Sequence, residues 1–176
     1  LERSVSAASL GRPNAWADRR ARLARDLVQA GRMTEGYRVA ASHHLTEGGD
    51  YAELEFLAGF IALRKLNDPM TARRHFQHLK SGVSTPISLS RAHYWEGRSE
   101  EALGNLAAAR VAFEAGAKHQ TAYYGLLSAE KLGLPLDAAL LADARPIDWG
   151  KATFAQSSVL DAAKLSLAAG DLDLGK

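Results

Sequence analysis

Apolar residues recur at intervals of three or four along most of the chain, as on one face of an α-helix. In the third such stretch, Leu54, Leu57, Ala58 and Ile61 fall on one side of a helix. No stretch alternates apolar and polar residues in the way that indicates a β-strand. The pattern predicts helices at residues 15–30, 34–45, 50–66, 69–82, 86–103, 106 to beyond 113, 121–132, 136–142 and, from 149 or 151, to 169.

Several helix boundaries carry specific signals. Asp68-Pro69 and Thr85-Pro86 each place a capping side chain before a proline at the first helical position. Gly133, followed closely by Pro135, predicts a helix end. Further predicted caps, breaks and connectors are Asn14, Gly31, Gly48-Gly49, Asp50, Ser84, Gly104-Asn105, Thr121 and Arg145-Pro146.

One arrangement of small and aromatic residues occurs twice. Gly97, Ala109 and Phe113 are spaced as in a tetratricopeptide helix pair, where small residues let two helices approach and the aromatic fills the joint. Ala72 and Phe76 repeat the last two positions 37 residues earlier, and the segment ending at Gly59 matches the one ending at Gly97 at an offset of 38. The chain is therefore predicted to be an all-α solenoid, a superhelix of stacked antiparallel helix pairs.

The predicted domain organisation is a flexible segment over residues 1–14 and a solenoid over residues 15–176. The segment from Ala168 to Lys176 repeats the pattern from Ala102 to Arg110, so the last repeat stops as its second helix begins. A solenoid normally ends in a polar capping helix. We therefore expect the parent protein to continue past Lys176.

Composition is that of a globular protein, with 47% hydrophobic and 24% charged residues among 176. No apolar run reaches the length of ~20 residues that a membrane helix needs, and the absence of cysteine excludes disulfides and cysteine metal sites. The formal net charge is +2, and residues 1–40 hold eight basic against four acidic residues. Without a concentrated basic stripe or a known motif, nucleic acid is not an expected partner.

Few residues suggest catalysis or metal binding. A pair of acids among Glu100, Glu101 and Glu130 would be required for a two-carboxylate glycosidase, but the first two have polar neighbours and are interpreted as solvated. His75 and His78 are three apart, as some metal ligands are, yet no third ligand follows at a recognisable spacing. They are interpreted as surface histidines, and no cofactor is predicted.

Residues 51–133 resemble the noncatalytic superhelical part of the soluble lytic murein transglycosylases. The resemblance rests on four segments, which begin at Phe56, Ala72, Pro86 and Ala122: FLAGFIALR, ARRHF, PISLSRAHYWEGR and AYYGLLSAEKLG. The PISL and YYG portions are the more specific ones, because generic tetratricopeptide repeats do not require them. Glu96 departs from the pattern, since an apolar residue is expected there.

The resemblance implies a periplasmic, bacterial parent enzyme that cleaves peptidoglycan glycan strands between N-acetylmuramic acid and N-acetylglucosamine, leaving 1,6-anhydromuramoyl products. In that family the acid/base catalyst is a glutamate in a C-terminal lysozyme-like domain. A serine follows this glutamate, and the same domain contains a Gly-Leu-Met-Gln segment. Neither motif occurs here, so no catalytic residue is carried over. The expected role is a helical scaffold that guides the substrate, and this segment alone is expected not to be catalytic.

Peptidoglycan glycan strands are therefore the expected partner of the parent. Glycan contacts are predicted at exposed arginines, which would meet the peptide carboxylates of murein, and at aromatics that stack on sugar rings. These residues are Arg73, Arg74, Arg91, Arg98, Tyr94 and Tyr124. The alternative function is a stand-alone tetratricopeptide-like module that binds a protein or peptide in its concave groove.

Overall fold

The computed structural model describes residues 5–141, 148–171 and 173, and these are helical without any strand. The all-α prediction is confirmed. The helices are α1 (Ala7–Leu10), α2 (Pro13–Gln29), α3 (Met33–Ala41), α4 (Gly48–Arg64), α5 (Pro69–Ser81), α6 (Pro86–Ala102), α7 (Leu106–Ala117), α8 (Tyr123–Leu132), α9 (Ala138–Leu141) and α10 (Ser158–Ala168), with a 3₁₀ turn at Trp149–Lys151.

The chain divides into two compact units, Leu1–Leu141 and Ala142–Lys176. The first contains α1–α9 and all of the buried core of the described residues, and the second contains α10. The predicted connector at Arg145-Pro146 and the predicted repeat end at Gly175-Lys176 lie outside the described residues. The prediction of a flexible segment at 1–14 stays a prediction. Within it, Ser6 and Ser9 form a capping box on α1.

The strongest local signals are confirmed at atomic detail. The Asp68 carboxylate accepts a hydrogen bond from the Thr71 backbone N–H at 3.0 Å, and the Thr85 hydroxyl accepts one from Ser88 N–H at 3.3 Å. Gly133 ends α8 in the left-handed region, with φ +67°. Such caps satisfy backbone groups that a helix end leaves free, so they depend only on residues close in sequence.

Two predicted helix ends are wrong. The helix predicted to reach residue 45 ends at Ala41, because the His43 ring is buried and its Nδ1 accepts the Leu45 N–H at 2.9 Å. The helix predicted from 149 or 151 begins only at Ser158, where the Ser157 hydroxyl caps it. In both places a side chain binds the backbone N–H two residues ahead and sets the boundary.

Four starts are also displaced by two residues. α2 begins at Pro13, so the predicted cap Asn14 lies inside the helix, and α4 begins at Gly48, so Asp50 lies inside its first turn. α8 begins at Tyr123 rather than Thr121, and α9 at Ala138 rather than residue 136.

Each helix from α2 to α8 packs against the next along the chain. In addition, α2 contacts α4, α4 contacts α6, and α6 contacts α8. These four helices therefore lie side by side as neighbours and share one face of this part of the chain.

The joint predicted from the repeat is confirmed. A Cβ added to Gly59 would lie 2.7 Å from the Phe76 ring, and one added to Gly97 would lie 2.6 Å from the Phe113 ring. Both rings are buried, as are Ala72 and Ala109 on the same helices. Real Cβ atoms do not approach other atoms so closely, so glycine is what allows the helices to meet at these two points.

Candidate functional site

A continuous line of aromatic rings crosses α4, α6 and α8. We call it the aromatic ladder, and its members are Phe60, Trp95, Tyr124 and Tyr123. Successive ring centroids are 5.2, 6.3 and 5.1 Å apart, and each neighbouring pair meets edge to face. Phe56 supports the ladder at 6.0 Å from Phe60 and 6.1 Å from Trp95. Edge-to-face pairs at these distances are favourable, so the rings are held in fixed positions.

Helical spacing explains this line of rings. Phe56 and Phe60 are four residues apart on α4 and so lie on one side of it. Trp95 comes from α6, and Tyr124 from α8, which packs against α6. The ladder therefore takes one ring each from α4 and α6 and ends on α8, with Tyr123 as its last member, 69% exposed.

Positive side chains border the aromatic ladder and share carboxylates in pairs. Glu53 of α4 is bound by Arg25 of α2 and, at 3.6 Å, by Arg91 of α6. The Arg91 guanidinium also lies 4.4 Å from the centre of the Phe56 ring. The two ion pairs of Glu53 therefore connect α4 to α2 and to α6, which are its neighbours in space but do not follow or precede it directly in the chain.

A second carboxylate shared by two cations lies on α6. Glu101 of α6 is bound at 2.9 Å by Arg98 of the same helix and at 2.9 Å by Lys131 of α8. Arg98 lies over the Tyr94 ring and Lys131 over the Phe113 ring. Together with the Glu53 group, four positive charges share two carboxylates, so these two groups carry a surplus of two positive charges. An anion is attracted to such a surface.

A groove lies between α2 and α4 at one end of the aromatic ladder. Its volume is about 350 Å³. Apolar side chains form most of its wall, and Arg25 and Gln29 supply hydrogen-bond donors at the same place; the apolar residues are Val28, Phe56, Leu57, Phe60 and Ile61. Ligand sites in proteins commonly have this size and composition.

The six predicted glycan contacts do not all lie together. Tyr124 belongs to the aromatic ladder, Tyr94 packs against Trp95 and Tyr124, and Arg98 lies over Tyr94. Arg91 lies over Phe56, whereas Arg73 pairs with Glu100 at 3.4 Å on α5 and α6. Arg74 is exposed and binds the Thr71 hydroxyl at 2.9 Å.

Tyr94 is only 8% exposed, and its ring packs 5.8 Å from that of Phe113. Whether any of the six contacts a glycan stays a prediction.

Phe60, Arg25 and Glu53 belong to this face and were missed by sequence reasoning. Phe60 was missed because it lies in a continuous apolar run on α4, which contains both buried and partly exposed positions. Its spacing of four from Phe56 was the available signal. Arg25 and Glu53 are 28 residues apart, so only the packing of α2 on α4 reveals that they pair.

A second set of polar residues is buried around Glu55. Its carboxylate receives hydrogen bonds from His43 Nε2–H at 3.2 Å and from His75 Nδ1–H at 2.6 Å. Tyr37 donates its hydroxyl proton to His75 Nε2 at 3.0 Å, and Leu45 N–H binds His43 Nδ1. Each ring nitrogen of the two histidines thus has a partner when both imidazoles are neutral.

His75 is therefore not the surface residue predicted from sequence, since its side chain is 13% exposed. His78 is exposed, as predicted. Among the described residues, no group of three or more histidines and acids could hold a metal ion. The cluster around Glu55 fastens the loop after α3 to α4 and α5.

Burial alone raises the pKa of Glu55, but the hydrogen bonds from His43 and His75 outweigh it and lower the pKa from 4.5 to about 2. A carboxylate with this environment stays ionised and is not suited to act as a general acid.

The interpretation of Glu100 as a solvated acid is wrong. It is 6% exposed, and Asn105 donates a hydrogen bond to it at 2.8 Å in addition to the Arg73 pair. Glu96, in the position where an apolar residue was expected, is also buried, and Lys80 binds its carboxylate at 2.5 Å. Both acids fit inside because a cation from α5 neutralises each of them.

Acid should weaken the fold through Glu55. Its pKa is lower in the folded chain than the ordinary 4.5, so its contribution to stability is complete above about pH 4.5 and is lost as the pH falls towards 2. We expect the difference in unfolding free energy between the wild type and Glu55→Gln to shrink over that range in urea titrations. Glu114→Gln, at an exposed ion pair on α7, is the control and should show little difference at any pH. A constant difference for Glu55→Gln would contradict this account.

Comparison of the chain with protein-family models, with curated proteins and with solved structures finds no match. In the described part of the chain, every helix is too short or too polar to cross a membrane.

Proposed function

We propose that this chain is a solenoidal scaffold that guides substrate in a periplasmic lytic transglycosylase, an enzyme that cleaves peptidoglycan strands to 1,6-anhydromuramoyl products. The observation that carries the proposal is the twice-repeated joint, Gly59 with Phe76 and Gly97 with Phe113, within residues 51–133, the part that resembles that family. The side-by-side packing of α2, α4, α6 and α8 supports a superhelical arrangement of hairpins.

The acids of the helical core support a scaffold rather than a catalytic role. Glu55, Glu96 and Glu100 are each bound by basic side chains or histidines from other helices. A general acid must release its proton to the glycosidic oxygen in a pocket that keeps it protonated beforehand. The catalytic glutamate of the parent protein is therefore proposed to lie in another domain.

Digestion of purified sacculi tests this proposal. This chain should release no 1,6-anhydro muropeptides detectable by mass spectrometry, while the full product of its gene should release them. The control is the full product with its candidate catalytic glutamate changed to glutamine, which should be inactive. Release by the short chain would overturn the scaffold role, and no release by the full product would overturn the family assignment.

A protein-binding module is the second candidate function, and exposed apolar side chains on α7 favour it. Val111 is well exposed and, with Ala108, Ala112 and Ala115 of the same helix, lines an open groove of about 370 Å³. Leu106 is well exposed at the start of that helix. Exposed apolar surface that is contiguous in this way is typical of a partner site. Leu106→Ser/Val111→Ser should then abolish capture of a defined partner while leaving retention on sacculi unchanged. Loss of retention on sacculi in the same variant would count against a separate protein site.

A further inference from the structure

The loop between α3 and α4, residues 42–47, is held by one buried histidine. His43 is 3% exposed, and both of its ring nitrogens are bonded: Nε2–H donates to the Glu55 carboxylate at 3.2 Å, and Nδ1 accepts the Leu45 N–H at 2.9 Å. We propose that His43, Glu55 and His75 form a pH-sensitive switch, which holds this loop at neutral pH and releases it in mild acid, when both imidazoles carry a proton. The switch does not depend on the function proposed above.

The two histidines differ in what an added ring proton does to their partners. On His75 the proton enters Nε2, which accepts the Tyr37 hydroxyl at 3.0 Å, and this hydroxyl can rotate and accept the new N–H instead. On His43 the proton enters Nδ1, whose partner is the Leu45 N–H, and a backbone N–H cannot become an acceptor. Protonation is therefore compatible with the observed contacts at His75 but not at His43.

The single charge of Glu55 determines how many protons the cluster takes up before the loop moves. Although burial raises the pKa of Glu55, the hydrogen bonds from both histidines lower it to about 2, so its carboxylate stays ionised in mild acid. This carboxylate balances one imidazolium, which His75 can hold without losing a hydrogen bond. A second proton, on His43, places an unbalanced positive charge in a buried site, which is unfavourable.

Other titratable and charged groups around the cluster come from each helix packed against it and from the loop itself. Within the described residues they are Arg20 on α2, Tyr37 on α3, Tyr51 on α4, Asp68 before α5, Arg74 and His78 on α5, and His44 and Glu47 on the loop.

These surrounding groups do not balance a proton on His43. The two tyrosines stay neutral, because burial raises the pKa of each hydroxyl. Asp68 and Arg74 both act on Tyr37 and have opposite charges, so they offset each other. The loop residues are exposed, where solvent and salt screen their charges. His78, whose Nδ1 lies 3.8 Å from the Glu55 carboxylate, is exposed and gains a positive charge in the same pH range.

One residue of the loop is held in an unfavourable backbone conformation. His44 has φ +54°, in the left-handed region that is uncommon for residues other than glycine. Thr46 lies against the end of α5, since a Cβ added to Gly82 would be 2.9 Å from its carbonyl oxygen. Loss of the Leu45 N–H bond allows His44 to relax, and the loop then leaves α5.

The loop also forms one wall of an open groove of about 550 Å³. Residues 44–47 line one side of this groove, and residues 12–15, at the start of α2, line the other. Release of the loop removes the first wall. The switch therefore changes the shape of a surface groove as well as a buried hydrogen bond.

Amide hydrogen exchange followed by NMR tests the switch. The protection factor of the Leu45 N–H, which already corrects for the intrinsic effect of pH on exchange, should fall about tenfold between about pH 7.5 and about pH 5.5. The Phe113 amide, inside α7, should keep its protection factor. An unchanged Leu45 protection factor would overturn the switch, and an equal fall at Phe113 would overturn it in favour of a general loss of stability.

His43→Asn separates the proton from the contact. The Asn Oδ1 atom can accept the N–H two residues ahead, as in an Asx turn, but it takes up no proton in this range. Leu45 protection in this variant should therefore be independent of pH. A fall equal to that of the wild type would overturn His43 as the residue that releases the loop.

His75→Asn tests the sharing of Glu55. The carboxylate then balances a proton on His43 alone, so the fall in Leu45 protection should move to higher pH. The matched control is His119→Asn, at a histidine of the connection between α7 and α8, which should behave as the wild type does. Circular dichroism at neutral pH establishes that each variant is folded. A midpoint that stays in place or moves to lower pH in His75→Asn would overturn the shared carboxylate.

Discussion

Replacing Phe76 with alanine is expected to lower the free energy of unfolding by about 4 kcal/mol. Phe76 is 0% exposed and lies in the joint between α4 and α5, against Gly59. Its ring also packs 6.5 Å from Phe56 and 6.2 Å from Trp95, so its loss would leave a cavity beneath the aromatic ladder. The backbone at Gly59 cannot move in to fill that space without shifting α4, which is why the effect is placed near the upper part of the usual range.

Urea unfolding followed by circular dichroism measures this change. Met70→Ala is the matched control, because Met70 lies on the same helix but is largely exposed. It should change the free energy of unfolding by less than about 0.5 kcal/mol. Equal midpoints for the two variants would show that the joint between α4 and α5 does not stabilise the fold.

Gly125→Ala is expected to destabilise the fold by about 3 kcal/mol, the upper end of ordinary overpacking. The added Cβ would lie 1.9 Å from the backbone oxygen of His119 and 2.4 Å from its carbonyl carbon. A side chain could rotate away, but this contact is with the backbone of the connection between α7 and α8. Relief therefore requires α8, which carries Tyr124 and Lys131, to move.

The sign of the effect is diagnostic, because alanine is favoured over glycine inside a helix by about 1 kcal/mol. Gly49→Ala provides the control: Gly49 lies in α4, has no positive φ, and a Cβ there would meet no atom within 4 Å. It should be neutral or slightly stabilising in the same urea titration. A stabilising Gly125→Ala would contradict the close approach of α8 to the preceding connection.

Sequence reasoning identified the glycine of the Tyr-Tyr-Gly segment as specific but did not give the reason. The reason is a contact between Gly125 and a carbonyl six residues earlier, across a turn. By contrast, the joints at Gly59 and Gly97 were predicted together with their cause. The same spacing of small and aromatic residues occurs twice, and both copies indicate the same kind of contact between paired helices. Repetition thus supplied tertiary information that a single copy did not.

The aromatic ladder was predicted only in part. Tyr124 and the flanking Arg91 and Arg98 were named from sequence, but Phe60 was not, and the six residues were treated as one set although Arg73 and Arg74 lie on α5. Which side of a helix faces a neighbour depends on how that helix is rotated, and rotation is set by packing with residues far away in sequence. Periodicity shows that a helix has a buried side and an exposed side, but not which neighbour each covers.

The amino-acid sequence by itself determined the helical class, the caps at Asp68 and Thr85, the end of α8 at Gly133 and the small-aromatic joints, because each depends on neighbours within a few residues or on a repeated spacing. Only the tertiary structure decided where the charged residues lie. Glu55, Glu96 and Glu100 are buried because partners 12 to 27 residues away bind them. A charged side chain is stable in a protein interior only when a partner that neutralises or hydrogen-bonds it lies beside it. That condition is set by the packing of α4, α5 and α6 together, and no segment of the sequence contains it alone.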